Sequence, residues 1–186
     1  MGIAALCCAF WQPHGYRTII VILLIAGLLS DIFDGIIARR LGVSNERMRR
    51  LDSGIDQVFW ILILLATYLI SPAFFTDHLW MIGSVVVLEI AAYAASYIKF
   101  RKEVSTHAIL SKIWTLTMFA AITQAILTGN SGWVLELCCW LGIITRFEII
   151  FIVLILRQWT SDVPCIYHAI QLRQGKKIKR SKWFNG

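Results

Sequence analysis

Carboxylates stand at helical spacing in two short stretches near the start of the chain. The first stretch holds Asp31 and Asp34, three residues apart, and the second holds Asp52 and Asp56, four residues apart. Residues at these spacings share one face of a helix. Four carboxylates that converged on one place would repel one another unless a cation lay between them. The pattern therefore predicts a divalent-cation site built from two helices.

The chemistry that such a site supports is displacement at phosphorus. Hard cations such as Mg²⁺ prefer oxygen ligands, and two of them about 4 Å apart can clamp a phosphoryl group. A simpler interpretation treats these residues as solvated helix ends, with Asp31 near one end and Asp52 as the N-cap of a second helix that starts near Leu51. That interpretation accounts for one or two aspartates but not for four at face-sharing spacings, so we favour the cation site.

The elements that must position these residues are membrane helices. Of the 186 residues, 58% are hydrophobic and 16% are charged, whereas a soluble domain carries about a quarter charged residues. A membrane span needs roughly 20 apolar residues. The segments that approach this length are 18–38, 55–75, 79–98, 108–128 and 133–156, and the apolar stretch 3–11 is too short to cross alone.

The predicted fold class is therefore all-α. We expect a polytopic integral membrane helical bundle of about six transmembrane helices, with a short or truncated first helix. Residues 1–186 would form a single membrane-embedded domain, with a basic tail over 172–186. The segment 157–178 could lie as an interfacial helix.

The basic residues predict an orientation. Most of the 18 Lys and Arg residues fall in 39–50, 99–112 and the tail, whereas the segments 71–79 and 128–132 hold none. The positive-inside rule places the aspartates and the C-terminus in the cytoplasm. The net charge of +7 then reflects membrane flanks and anionic headgroups. We expect a bacterial inner or cell membrane location and no nucleic-acid partner.

The cysteines predict no further chemistry. Four of the five occur as adjacent pairs in apolar runs, without metal-ligand spacing. They are interpreted as small hydrophobic side chains, so neither a disulfide framework nor a zinc site is expected.

The acidic motif resembles the signature of a known family. The signature of the CDP-alcohol phosphotransferase family is D-x2-D-G-x2-A-R-x8-G-x3-D-x3-D. The chain reads Asp31-x2-Asp34-Gly35-x2-Ala38-Arg39-x8-Met48-x3-Asp52-x3-Asp56. All defined positions agree except Met48, which replaces the second glycine. The resemblance implies an enzyme that transfers a substituted phosphate from a CDP-linked donor, usually CDP-diacylglycerol, to an alcohol and releases CMP.

The resemblance also implies roles for these residues. Two Mg²⁺ or Mn²⁺ ions would be held by Asp31, Asp34, Asp52 and Asp56, and Asp56 would also be the general base. The donor nucleotide would contact Asp31, Asp34, Gly35, Ala38, Arg39, Met48 and Asp52. Small side chains at Gly35 and Ala38 would admit the nucleotide, and Arg39 would pair with donor phosphate oxygens. Met48 puts the fit of the nucleotide in doubt.

Two cationic residues are candidates for binding the acceptor. Lys112 could bind a phosphorylated acceptor or could snorkel to the interface. Arg146 could line the cleft or could form a buried ion pair with Glu89. If Lys112 and Arg146 both face the cleft, glycerol 3-phosphate is the first expected acceptor, as in phosphatidylglycerophosphate synthesis.

Two alternatives remain open. The enzyme could use another acceptor, such as inositol phosphate or serine. The protein could instead be a catalytically impaired membrane protein that binds CDP-lipid and metal. The resemblance adds phospholipid biosynthesis and a homodimer to the expectations.

Overall fold

The computed structural model describes residues 1–41, 46–102, 104, 109–130, 132–161 and 163–176. Within these ranges all regular structure is helical, as the sequence predicts. In chain order the helices are α1 (Gly2–Trp11), α2 (Tyr16–Leu41), α3 (Glu46–Ile70), α4 (Pro72–Thr76), α5 (Leu79–Phe100), α6 (Ile109–Thr128), α7 (Gly132–Ile155) and α8 (Ile166–Arg173).

Several of these helices are suited to a bilayer. Within the described residues, three are long and apolar enough to cross a membrane, Leu79–Phe100, Leu110–Thr128 and Gly132–Ile155, and Gly2–Trp11 and Gly54–Ile70 are shorter apolar helices. Large side chains such as Ile98, Trp133 and Leu154 are exposed on the longer helices, as expected for lipid-facing positions. The prediction of an all-α polytopic membrane protein is confirmed.

The helix ends on the acidic side differ from those predicted. Helix α2 continues to Leu41, and α3 begins at Glu46 rather than near Leu51. Both extensions consist largely of Arg, with one Leu, one Glu and one Met; these residues favour helix, but the charged ones do not extend an apolar run. The interpretation of Asp52 as a helix N-cap is therefore wrong, because that residue lies well inside α3.

Proline sets two other boundaries. The predicted span 55–75 ends at Ile70, and Pro72 stands in the first turn of the separate helix α4. The predicted interfacial helix over 157–178 is shorter, since it begins only at Ile166, after Pro164, and ends at Arg173. Residues 177–186 of the predicted tail lie outside the described residues.

The described chain divides into two compact units. The first comprises Met1–Asp77 with Ile122–Ser131. In it, α1 packs on α2 and α3 through small buried residues such as Ala5 and Ala9. Arg17 Nη1 donates to the carbonyl oxygens of Ile126 (3.0 Å) and Leu127 (3.2 Å), so this guanidinium satisfies the end of α6.

The second unit comprises His78–Ala121 with Gly132–Gly186. Here α7 packs against α5 and α8. Lys99 Nζ donates to the carbonyl oxygens of Val153 (2.9 Å) and Leu154 (2.6 Å) at the end of α7. Arg173 Nη1 donates to the carbonyl oxygen of Ile155 at 3.4 Å, which ties α8 to the end of α7.

Candidate active site

Helix α2 places the first two aspartates on one face. Asp31 and Asp34 lie in its second half, ten and seven residues before Leu41. Asp31 is half-buried and Asp34 is exposed. Ser30 Oγ donates to Asp34 Oδ2 at 3.5 Å. Because the helix continues for about two turns beyond Asp34, these residues are not frayed helix ends.

Helix α3 carries the other two aspartates. Asp52 and Asp56 lie six and ten residues after Glu46, so their spacing again defines one face. Asp56 is half-buried. The side chain of Asp52 lies outside the described residues, as do those of Gly35, Ala38, Arg39 and Met48.

One close contact joins the two helices. A Cβ added to Gly27 would lie 2.3 Å from Phe59 Cζ, so the ring rests directly on the backbone of α2. Gly27 precedes the end of α2 by 14 residues, and Phe59 follows the start of α3 by 13. Consecutive helices with a short connection run antiparallel. In that arrangement, residues equally far from the connection lie at the same level.

The aspartates of the two helices lie at matching distances from the connection. Asp34 and Asp52 both lie about 10 Å along their helices from the connection, and Asp31 and Asp56 both lie about 15 Å from it. The sequence predicted shared faces on two helices, and the helix bounds add that the aspartates lie at matching distances from the connection. Among the described side chains, which include those of Asp31, Asp34 and Asp56, no group of three His, Cys, Asp or Glu residues is placed to hold a metal ion.

The two acceptor candidates belong to the second unit. Lys112 is exposed in the first turn of α6 and has an interaction partner. Arg146 is 6% exposed on α7 and forms an ion pair with Glu89 through its Nε atom. The structure therefore contains the ion pair that the sequence left as one of two alternatives for Arg146.

An aromatic partner of Arg146 was not predicted from the sequence. The guanidinium carbon lies 4.0 Å from the centre of the Trp114 ring. Gly142, one turn before Arg146, leaves the room for this ring, because a Cβ there would lie 2.7 Å from Trp114 Nε1. The sequence feature that could have indicated this partner is a glycine one turn before an arginine inside an apolar helix.

This cluster keeps donors without partners. Arg146 Nη1 and Trp114 Nε1 are buried and have no hydrogen-bond partner within the described part of the chain. Buried donors are nearly always satisfied, so such atoms call for an unseen water or ligand oxygen. The Nη1 group of Arg146 and the Nε1–H group of the adjacent Trp114 together form a local environment suited to an anionic oxygen.

Comparison with known proteins identifies the family. A family model described as CDP-alcohol phosphatidyltransferase matches residues 1–154, which is most of the chain. The chain belongs to the CDP-alcohol phosphatidyltransferase family, as the acidic motif predicts. No curated protein and no solved structure gives a significant match. Members of this family transfer a phosphatidyl group from a CDP-alcohol.

Proposed function

We propose that this protein transfers the phosphatidyl group of CDP-diacylglycerol to a polar alcohol and releases CMP. The observation that carries the proposal is that the four motif aspartates lie within the consecutive helices α2 and α3, in two pairs at matching distances from their connection. The family match supports a transferase of substituted phosphate groups. The donor, the acceptor and the residue roles below belong to the proposal.

In the proposed reaction the acceptor hydroxyl attacks the phosphorus that carries the diacylglycerol. A new O–P bond forms, the bond to the bridging pyrophosphate oxygen breaks, and CMP leaves with that oxygen. Asp56 takes the proton of the attacking hydroxyl. A half-buried carboxylate suits this role, because it stays partly shielded from water yet accessible to substrate.

The four motif aspartates have the ligand chemistry that a pair of hard cations requires. Asp31, Asp34, Asp52 and Asp56 offer only carboxylate oxygens, which Mg²⁺ and Mn²⁺ accept as ligands. These residues would hold the ions. When bound, the ions would neutralise charge on the phosphate oxygens and so favour attack by a nucleophile.

The remaining motif residues would bind the donor. Gly35 and Ala38 are small residues in the acidic half of α2 and would allow a nucleotide to approach the helix closely. Arg39 supplies a planar fork of donors that matches phosphate oxygens. Met48 stands in the first turn of α3, where the family signature has glycine.

Glycerol 3-phosphate is the acceptor that we propose first. Arg146 retains a buried Nη1 donor, and Trp114 adds a second buried donor nearby, so this cluster could accept a phosphate oxygen. Lys112 would add a second cation. Inositol phosphate has the same requirement, whereas serine offers a carboxylate in place of the phosphate.

Met48 favours a second candidate function. A thioether in place of glycine could block productive placement of the nucleotide and leave a membrane protein that binds CDP-lipid and metal without turnover. Binding of CDP-diacylglycerol without CMP release would support this candidate.

The deciding experiment is a CMP-release assay. Purified protein is given CDP-diacylglycerol and Mg²⁺ or Mn²⁺ with a panel of glycerol 3-phosphate, inositol phosphate, serine and unphosphorylated glycerol. CMP that depends on one acceptor and disappears on chelation is the expected result. Donor binding with no CMP from any acceptor would overturn the proposal in favour of the binding function.

We also propose a homodimer and a cytoplasmic active site. The homodimer is supported by family membership alone. The cytoplasmic active site is supported by the concentration of basic residues at the acidic ends of α2 and α3 and around the C-terminus.

A further inference from the structure

A polar cleft opens directly after the last membrane-spanning helix. It lies in the second unit, where the chain leaves α7, and has a volume of about 620 Å³. Arg157 and Arg173 line it together with Gln158 and Thr160. No described carboxylate lines the cleft, so its charge is positive.

The walls of the cleft are held in place by packing and hydrogen bonds. Ile152, Leu156, Val163 and Ala169 form one buried cluster between the end of α7 and the start of α8. The hydrogen bond from Arg173 Nη1 to the Ile155 carbonyl oxygen holds the same junction. A cleft with fixed walls preserves the spacing of its charged groups, which lowers the cost of binding a ligand.

One of the two arginines has no structural task. The carbonyl groups at the end of α7 need donors, and Lys99 and Arg173 supply them: Lys99 reaches Val153 and Leu154, and Arg173 Nη1 reaches Ile155 at 3.4 Å. Arg157 has no hydrogen bond or ion pair to any other described residue. Its guanidinium is an exposed cation that the fold does not use.

The cleft also has features of a lipid-binding position. Its lining includes Leu156 and Leu172, and Leu156 is buried beneath the polar residues. It follows a helix that can cross a membrane, so it lies at the level of lipid headgroups. Beside it, Lys102 Nζ lies 4.4 Å from the centre of the Trp159 ring, a pairing typical of the membrane interface.

We propose that this cleft binds the headgroup of an anionic phospholipid, with the phosphate between Arg157 and Arg173. The two guanidinium groups present planar donor forks to the phosphate oxygens. Gln158 and Thr160 offer hydrogen bonds to the polar part of the headgroup, and the acyl chains continue along the lipid-facing surface of α7. Basic clefts at the ends of membrane helices recognise lipid headgroups in this way.

The test is a lipid-binding titration on the full chain. Protein in neutral detergent is titrated with phosphatidylglycerol or with phosphatidylcholine of the same acyl chains, and bound lipid is counted by native mass spectrometry. We expect phosphatidylglycerol to bind at least about tenfold more tightly, because it has a net negative charge, whereas the choline of phosphatidylcholine adds a positive charge that the two arginines repel. Equal affinity for the two lipids would overturn the proposal.

Arg157→Gln is the informative variant because Arg157 makes no contact on which the fold depends. We expect it to weaken phosphatidylglycerol binding about fivefold and phosphatidylcholine binding by less, because choline already offsets the attraction of the arginines to its phosphate. The matched control is Arg101→Gln, since Arg101 is exposed and lies over the Tyr97 ring outside the cleft. An equal loss in the control would show diffuse attraction and would refute a specific site.

A soluble competitor separates the two sources of phosphate. Free glycerol 3-phosphate is added to the protein loaded with phosphatidylglycerol. Retention of the lipid supports a headgroup site. Displacement at concentrations similar to those of the lipid itself would assign the cleft to soluble phosphates and overturn the lipid proposal.

Discussion

A carboxylate acts as a general base only when it is ionised and can reach the proton that it takes. The sequence predicted both the identity of the four aspartates and their division between two helices. It did not predict the contact between Gly27 and Phe59, because a tertiary contact between two helices is not marked in either stretch of sequence. Nor did it reveal the partner of Arg146, since Trp114 lies on a different helix.

The proposed base predicts a loss of turnover on substitution. Asp56→Asn keeps the size of the side chain but cannot accept the hydroxyl proton. We expect CMP release to fall by about 10²- to 10⁴-fold, the usual contribution of general base catalysis. The control is Asp77→Asn, which alters an exposed aspartate just beyond α4 and should leave the rate unchanged. Wild-type turnover in the Asp56 variant would remove this residue from the base role.

Position 48 predicts a gain. If the thioether obstructs the nucleotide, Met48→Gly should raise the rate of CMP release and lower the KM for CDP-diacylglycerol. Because glycine weakens a helix by about 1 kcal/mol, a small loss of thermal stability should accompany the gain. Met48→Leu retains the bulk and serves as the control that should change neither quantity. An unchanged KM in the glycine variant would show that Met48 does not obstruct the donor.

At the scale of elements, helix boundaries were harder to predict than helix existence. The ends of α5, α6 and α7 fall close to the predicted limits because apolar residues mark the spans. The acidic ends of α2 and α3 were predicted too short, since Arg and Glu continue a helix without adding hydrophobicity. The functional consequence is that all four aspartates lie within regular helices, whose backbone geometry holds their spacing.

The contact between α2 and α3 predicts a stability effect. Gly27→Ala would place a methyl group against the Phe59 ring, and the ring must move or the helices must separate. We expect a loss of about 1–3 kcal/mol, seen as a lower melting temperature of the purified protein.

The matched control for Gly27→Ala is Gly83→Ala in α5. A Cβ at Gly83 meets no atom within 4 Å, so this variant should be neutral or slightly more stable. Equal melting temperatures for the Gly27 variant and the wild type would contradict the close packing of α2 against Phe59.

At the scale of the whole molecule, charge predicts how the chain lies in the membrane. The basic residues around 39–50 and in the C-terminal tail should face the cytoplasm. Arg17 is an exception to this rule, because it lies near the opposite end of α2. Its guanidinium donates hydrogen bonds to carbonyl groups at the end of α6. A count of charges along the sequence does not reveal this role, because the hydrogen bonds join residues that are far apart in the sequence.

The orientation can be measured with reporter fusions. A fluorescent protein fused after Gly186 should fluoresce, because it folds only in the cytoplasm of a bacterial host. Alkaline phosphatase fused after Asp77 should be active, because it requires export. The reverse pattern would place the aspartates outside the cell and would contradict a cytoplasmic source of CDP-linked donor.

The hydrogen bonds from Lys99 to the end of α7 have a mechanical consequence. An axial slide of one residue between α5 and α7 would shift the helices by about 1.5 Å, and the flexible four-carbon stem of Lys99 can follow a shift of that size. Lys99 therefore acts as a flexible tether, which keeps the last carbonyl groups of α7 satisfied while the two helices slide or tilt slightly against each other.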